Sequence, residues 1–137
     1  MTRKGSAIWN GNLKDGHGTV STASGVLDHS QYSFKTRFED GIGTNPEELL
    51  AAAHAGCFSM ALSNTLAGHG LTAESIETTV TCTMENLTIT KFHLDLTATI
   101  PGADADVFAT AAKEAKEGCP VSRLFNAEIT LDAKLVA

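Results

Sequence analysis

Three cysteines, at positions 57, 82 and 119, are the side chains of this 137-residue chain best suited to do chemistry of their own. A thiolate can attack a peroxide oxygen and become a sulfenic acid, which a second thiol can condense with to form a disulfide. An odd number of widely spaced cysteines is a poor structural disulfide framework, and no Cys-x-x-Cys pair is present for zinc or thioredoxin-type chemistry. In a reducing compartment they are expected to be thiols, with any disulfide transient and catalytic. Cys82 lies between Val80 and Met84 on the apolar side of an alternating run. It fits a small buried hydrophobe, and no chemistry is assigned to it. Cys57 follows His54 by three residues and so shares its helix face. Taken alone, a helical cysteine among alanines is more often a core residue than a nucleophile. Cys119 stands between Gly118 and Pro120, at a chain reversal where burial for packing alone is less expected. Attack on a peroxide needs the thiolate, and a free thiol titrates near ~8.5, so a cation is wanted nearby. Arg37 is the candidate, and Glu47 could orient it through a bidentate pair. From composition alone a solvated surface arginine is the favoured reading of Arg37, and a carboxylate favoured by the helix dipole is a complete explanation of Glu47.

These residues need elements to hold them. From Ser6 to Phe38, short alternations broken by turn residues predict two or three strands, the first two forming a hairpin around Gly11-Asn12. In Tyr32 to Phe38, residues Tyr32, Phe34, Thr36 and Phe38 fall on one side and Ser33, Lys35 and Arg37 on the other, which predicts a strand with Arg37 on its polar face. Asn45 then reads as an N-cap, Pro46 as the first helical residue, and Glu47 and Glu48 as first-turn acids. The helix they start runs to about Leu66, and its nearly all-round Ala, Leu and Met content predicts burial on most faces. Two long period-two runs, Ile76 to Met84 and Phe92 to Ile100, predict strands joined by a turn at Glu85 to Thr88. Asp104 or Asp106 caps a second helix that stops at Gly118, a short helical turn follows Pro120, and Ala127 to Val136 closes the chain as a strand. The order of elements implies an α+β fold, with antiparallel sheets against a long central helix.

Length and composition fit a single domain over residues 1–137 with a packed core: 42% of residues are hydrophobic and 19% charged. A net charge of -6 and scattered basic residues exclude a general nucleic-acid binder. No uninterrupted run of eighteen apolar residues predicts a membrane span, and Met1 to Asn12 has no secretory pattern, so a soluble cytoplasmic protein is expected.

The stretch from Arg37 to Leu62, with Thr44-Asn45-Pro46-Glu47 followed ten residues later by Cys57-Phe58, strongly resembles the OsmC/Ohr family of osmotically inducible and organic hydroperoxide resistance peroxidases. Cys119-Pro120-Val121-Ser122 matches the family's second cysteine motif, and the order of elements fits over nearly the whole chain. Arg37 immediately before Phe38-Glu39, together with Ala53-His54-Ala55, resembles the OsmC branch, whereas Gly56 departs from the alanine common in relatives. The resemblance implies a cofactor-free peroxidase of organic hydroperoxides, with Cys57 attacking the peroxide and Cys119 resolving it. Arg37 and Glu47 would tune the site, and an apolar pocket near Phe38, Phe58 and Met60 would receive the substrate. It also implies an intertwined homodimer and an external dithiol reductant, often a lipoyl-bearing protein. The residues give an independent reason to expect a second subunit: Glu47 and Cys57 lie ten positions apart on one helix, about 15 Å along its axis, so they cannot touch. Either a second subunit brings the Arg37–Glu47 pair to Cys57, or Glu47 acts through an intervening residue. Three rivals stand beside this reading: a metal site of His54, Cys57 and Cys119, a hydrolase with Cys57 as its acyl nucleophile, and a non-catalytic small-molecule binder.

Overall fold

The computed structural model describes all residues from Met1 to Ala137. Two compact units make up the chain, Met1–Leu49 and Leu50–Ala137. In the first, strand β1 (Gly5–Asn10) pairs antiparallel with β2 (His17–Thr22), and β2 pairs with the short β3 (Ser30–Tyr32). Gly18 makes this sheet possible, because a Cβ there would lie 2.6 Å from ring atoms of both Trp9 and Tyr32. Without one, the two rings approach to a centroid separation of 5.4 Å.

The strand expected over Tyr32 to Phe38 ends at Tyr32, and a helix, α1 (Phe34–Phe38), takes its place. A capping box explains the switch: the Ser33 backbone N–H donates to Thr36 Oγ1 at 2.8 Å, and Thr36 N–H donates back to Ser33 Oγ at 3.3 Å. Alternating residue types satisfied the strand pattern, but Ser and Thr three apart satisfied two otherwise orphaned backbone donors. Arg37 therefore projects from the last turn of a helix, not from the polar face of a strand. No apolar side chain in Met1–Leu49 is fully buried; only Gly18 and Thr36 are.

Helix α2 (Pro46–Gly68) begins as expected, with Asn45 Oδ1 accepting from the Glu48 N–H at 2.8 Å. Burial on most faces does not occur within the chain. His54, Phe58, Leu62 and Leu66, each four residues after the last, form one buried stripe, while Ala52, Ala53, Gly56 and Met60 remain exposed. By length and composition alone this helix is apolar enough to cross a bilayer. Its hydroxyls, however, are bonded to protein partners in the second unit: Ser59 to Thr78 at 2.8 Å and Thr65 to the Ala111 carbonyl at 2.9 Å.

Strands β4 (Ser75–Glu85) and β5 (Thr88–Thr99) form the long hairpin, turning through Asn86 and Leu87, both at positive φ. Then α3 (Ala105–Gly118) and α4 (Pro120–Leu124) lead into β6 (Glu128–Val136). Not every pairing is antiparallel, since β6 lies parallel to β5 from Lys91↔Glu128 to Thr99↔Val136. A parallel neighbour needs a long crossover, and α3 with α4 supplies it. The core is built from the α2 stripe, Leu94, Leu96, Ala98 and Ile100 of the β5 segment, and Phe108, Ala111, Ala112 and Ala115 of α3. Cys82 is half-buried on β4 rather than fully buried, as befits a strand at the edge of its sheet. Leu62 has no exposed surface. Leu62→Ala should cost about 2–5 kcal/mol of unfolding free energy, measurable by urea denaturation.

Candidate active site

Cys57 is half-buried in the middle of α2, and Cys119 is fully buried between α3 and α4. Cys119 ends one helix and precedes the next. Its N–H still donates to the Ala115 carbonyl at 2.9 Å, while its own carbonyl accepts from Arg123 N–H at 3.0 Å. Pro120 imposes this break, because its ring disfavours helical geometry in the residue before it, and Cys119 has φ -56 and ψ 124. The break redirects the residues that follow, while the thiol itself lies in the core against α2. There the Cys57 and Cys119 side chains are hydrogen-bonded to each other, and the Val121 backbone N–H donates to the Cys57 sulfur. Neither is in a disulfide. Burial pushes the Cys57 thiol above its ordinary range, the hydrogen bond to Cys119 adds to the rise, and the Val121 N–H opposes it.

Arg37 and Glu47, both within Met1–Leu49, do pair: Arg37 Nε donates to Glu47 Oε1 at 2.9 Å. The pair is single rather than bidentate. Glu47 is 13% exposed, its Oε2 is buried without a partner, and the Arg37 guanidinium lies 5.4 Å from the centre of the Phe38 ring. Thr36 and Asn45 brace the pair, since the Asn45 side-chain amide donates to the Thr36 carbonyl at 2.9 Å. A cleft of about 270 Å³ opens beside Arg37, lined also by Trp9, Tyr32, Phe34 and Phe38. Of the expected pocket residues only Phe38 lines it, because Phe58 belongs to the core and Met60 is exposed.

His54, expected near Cys57 from its spacing, instead bonds Ser122: Nε2 and Ser122 Oγ are 2.6 Å apart, and Nδ1 is buried without a partner. That arrangement supplies no histidine base to Cys57. The side chains whose ligand atoms lie within 4.8 Å of one another are His93, Asp95 and Asp132, not His54, Cys57 and Cys119. In that surface group His93 Nε2 is paired with both carboxylates, at 3.3 Å and 3.1 Å. Sequence reasoning missed Val121 as a donor and Ser122 as a partner. The only trace of either was their place in the Cys119-Pro120-Val121-Ser122 motif, since contacts 68 residues apart leave no local pattern.

Burial holds the His54 pKa below its usual 6.5. As pH falls, the unfolded chain therefore takes up this proton first, so the histidine's contribution is intact above about 6.5 and is lost below it. Urea unfolding at pH 7.5 and 5.5 should show a smaller loss of stability for His54→Asn than for the unaltered protein.

Comparison with known proteins adds four observations. Residues 39–134 match the model of a family described as OsmC-like protein. The chain is 51% identical over 137 residues to peroxiredoxin OsmC of Escherichia coli strain K12, covering 97% of this chain and 96% of that one. Among solved structures, an organic hydroperoxide resistance protein OsmC of Legionella pneumophila superposes with a TM-score of 0.64 at 25% identity, covering 98% of this chain and 97% of that one. An OsmC-like protein of Mycoplasma pneumoniae superposes with a TM-score of 0.78 at 13% identity, covering 100% and 99%, and bears on the fold alone.

Proposed function

The chain belongs to the OsmC family, and from that premise we propose that it is a cysteine-based peroxidase that reduces organic hydroperoxides, and hydrogen peroxide less efficiently, through Cys57 and Cys119. The contact between the two thiols carries this reading. A nucleophile needs no second thiol beside it, nor does a binding pocket, but a disulfide-forming cycle needs both. Cys57 as thiolate attacks one oxygen of the hydroperoxide; the S–O bond forms, the O–O bond breaks, and the departing alkoxide takes a proton to leave as an alcohol. Cys119 sulfur then attacks the sulfenic sulfur, forming the disulfide and expelling hydroxide, which is protonated to water. An external dithiol, such as a lipoyl group on a protein, restores both thiols by exchange.

The raised pKa of Cys57 shows what the mechanism still lacks within these contacts: a cation that favours the thiolate. Arg37 is that cation. Glu47 holds its Nε, which leaves the terminal nitrogens free to face the sulfur and the peroxide. Glu47 and Cys57 are ten residues apart on α2, so the pair reaches Cys57 from a second copy of the chain. The exposed side of α2 and the uncovered apolar side chains of Met1–Leu49, among them Ile8, Leu13 and Ile42, fit a homodimer that buries them. The aromatic cleft beside Arg37 favours an organic hydroperoxide over hydrogen peroxide. Thiols that must be re-reduced after each turnover suit the reducing cytoplasm.

Cys57→Ser should abolish turnover of cumene hydroperoxide. Cys119→Ser should consume one equivalent and stop with Cys57 as sulfenic acid, detectable by mass after dimedone trapping. Sustained turnover by Cys57→Ser would overturn the assignment. Light scattering at micromolar concentration should report twice the chain mass of 14.4 kDa.

A further inference from the structure

His54 and Ser122 take no part in the sulfur chemistry, yet their hydrogen bond runs beside it. His54 lies three residues before Cys57 on α2, and Ser122 lies three residues after Cys119 in α4. Their 2.6 Å contact therefore ties together the two elements that carry the two sulfurs. The imidazole has no exposed surface. It stands edge-on to Phe92 and Phe125, at centroid distances of 5.6 Å and 5.4 Å, and those two rings stack on each other at 4.0 Å. A wholly buried imidazole with one nitrogen unpartnered costs stability that an apolar side chain would not, so packing alone does not explain it. Nor can α4 hold itself in place: five residues are far below the length at which a helix is stable alone, and the side chain of its N-cap, Cys119, makes no capping bond to the first turn.

We propose that His54 is a positioning residue for the resolving step, holding α4 through Ser122 so that the Cys119 thiol at its start stays against Cys57. The inference rests on the reading of Cys57 and Cys119 as a redox pair. In the tautomer that suits the site, Nε2–H donates to Ser122 Oγ and the orphan Nδ1 is an acceptor, which is cheaper to leave unpaired than a donor. Burial keeps the ring in that neutral form. His54 moves no proton in the step itself. When the Cys119 sulfur attacks the Cys57 sulfenic sulfur, the S–S bond forms and the S–O bond breaks. The hydroxide that leaves takes the thiol's proton as water. The hydrogen bond sets how often the two sulfurs meet, whereas peroxide attack on Cys57 feels it only through the single N–H of Val121, also in α4.

Single-turnover experiments separate the two rates. One equivalent of cumene hydroperoxide is added to the reduced protein, peroxide loss is followed directly, and disulfide closure is followed by dimedone quenching and mass. Ser122→Ala should leave peroxide loss within about twofold and slow closure about tenfold, the size of one lost buried hydrogen bond. Ser122→Thr, which keeps the hydroxyl, should restore closure. His54→Asn should reproduce the Ser122→Ala defect, and the double variant should be no slower than either, as coupled partners require. Should Ser122→Ala fail to fold, the same two rates in His54→Asn decide the matter. Closure at the unaltered rate in these variants, or equal slowing of both steps, overturns the inference. Absence of a Cys57–Cys119 disulfide from the oxidised, unaltered protein would overturn the redox pair and this inference with it.

Discussion

Two sulfur atoms meet in this fold beside the point where one helix is interrupted. Cys119 keeps the last hydrogen bond of α3, to Ala115, and only its ψ of 124 departs from helical geometry. Pro120 disfavours a helical ψ at Cys119 and starts a new helix on a different course, which brings the Val121 N–H to the Cys57 sulfur and Ser122 to His54. The parallel pairing of β5 and β6 makes such a detour necessary, because the chain must cross the sheet to re-enter it in the same direction. Cys119 thus sits within a crossover anchored by strands at both ends. Its partner sits on the helix that those strands and α3 use as their core.

That placement sets two requirements against each other. A thiol in a closely packed core is slow to ionise, and the burial that brings Cys119 beside Cys57 also raises the proton affinity of Cys57. Only the Val121 N–H acts in the other direction among the contacts described. A catalytic thiolate therefore calls for positive charge from outside the sulfur pair. The Arg37–Glu47 pair, with guanidinium nitrogens still free and a carboxylate oxygen still unsatisfied, is suited to supply it.

Much of the architecture was legible from local chemistry. Asn45 and Pro46 marked the start of α2, Asp104 and Gly118 bounded α3, and period-two runs located β4, β5 and β6. The misread elements had a competing local signal or none. Tyr32 to Phe38 alternates like a strand, but the Ser33–Thr36 box made it a helix. The parallel register of β6 depends on a crossover whose path no local pattern encodes. Of the candidate site, Cys57, Cys119, Arg37 and Glu47 were picked out by residue type and motif, and the structure pairs the first with the second and the third with the fourth. The partner of His54 was not, because a contact across 68 residues is a property of packing alone. The helix content of α2 was plain, but how much of it one chain could cover was not.

The first 49 residues contain no fully buried apolar side chain, although Ile8, Trp9, Leu13, Tyr32, Phe34 and Phe38 all fall within them. So small a unit without a core of its own has little to keep it folded. In the proposed homodimer, a single replacement there would change the boundary in two symmetry-related places at once, doubling its gain or harm. Selection on that surface would then act on a shape matched to itself, and drift at any one position would be held more tightly than on a boundary between unlike chains.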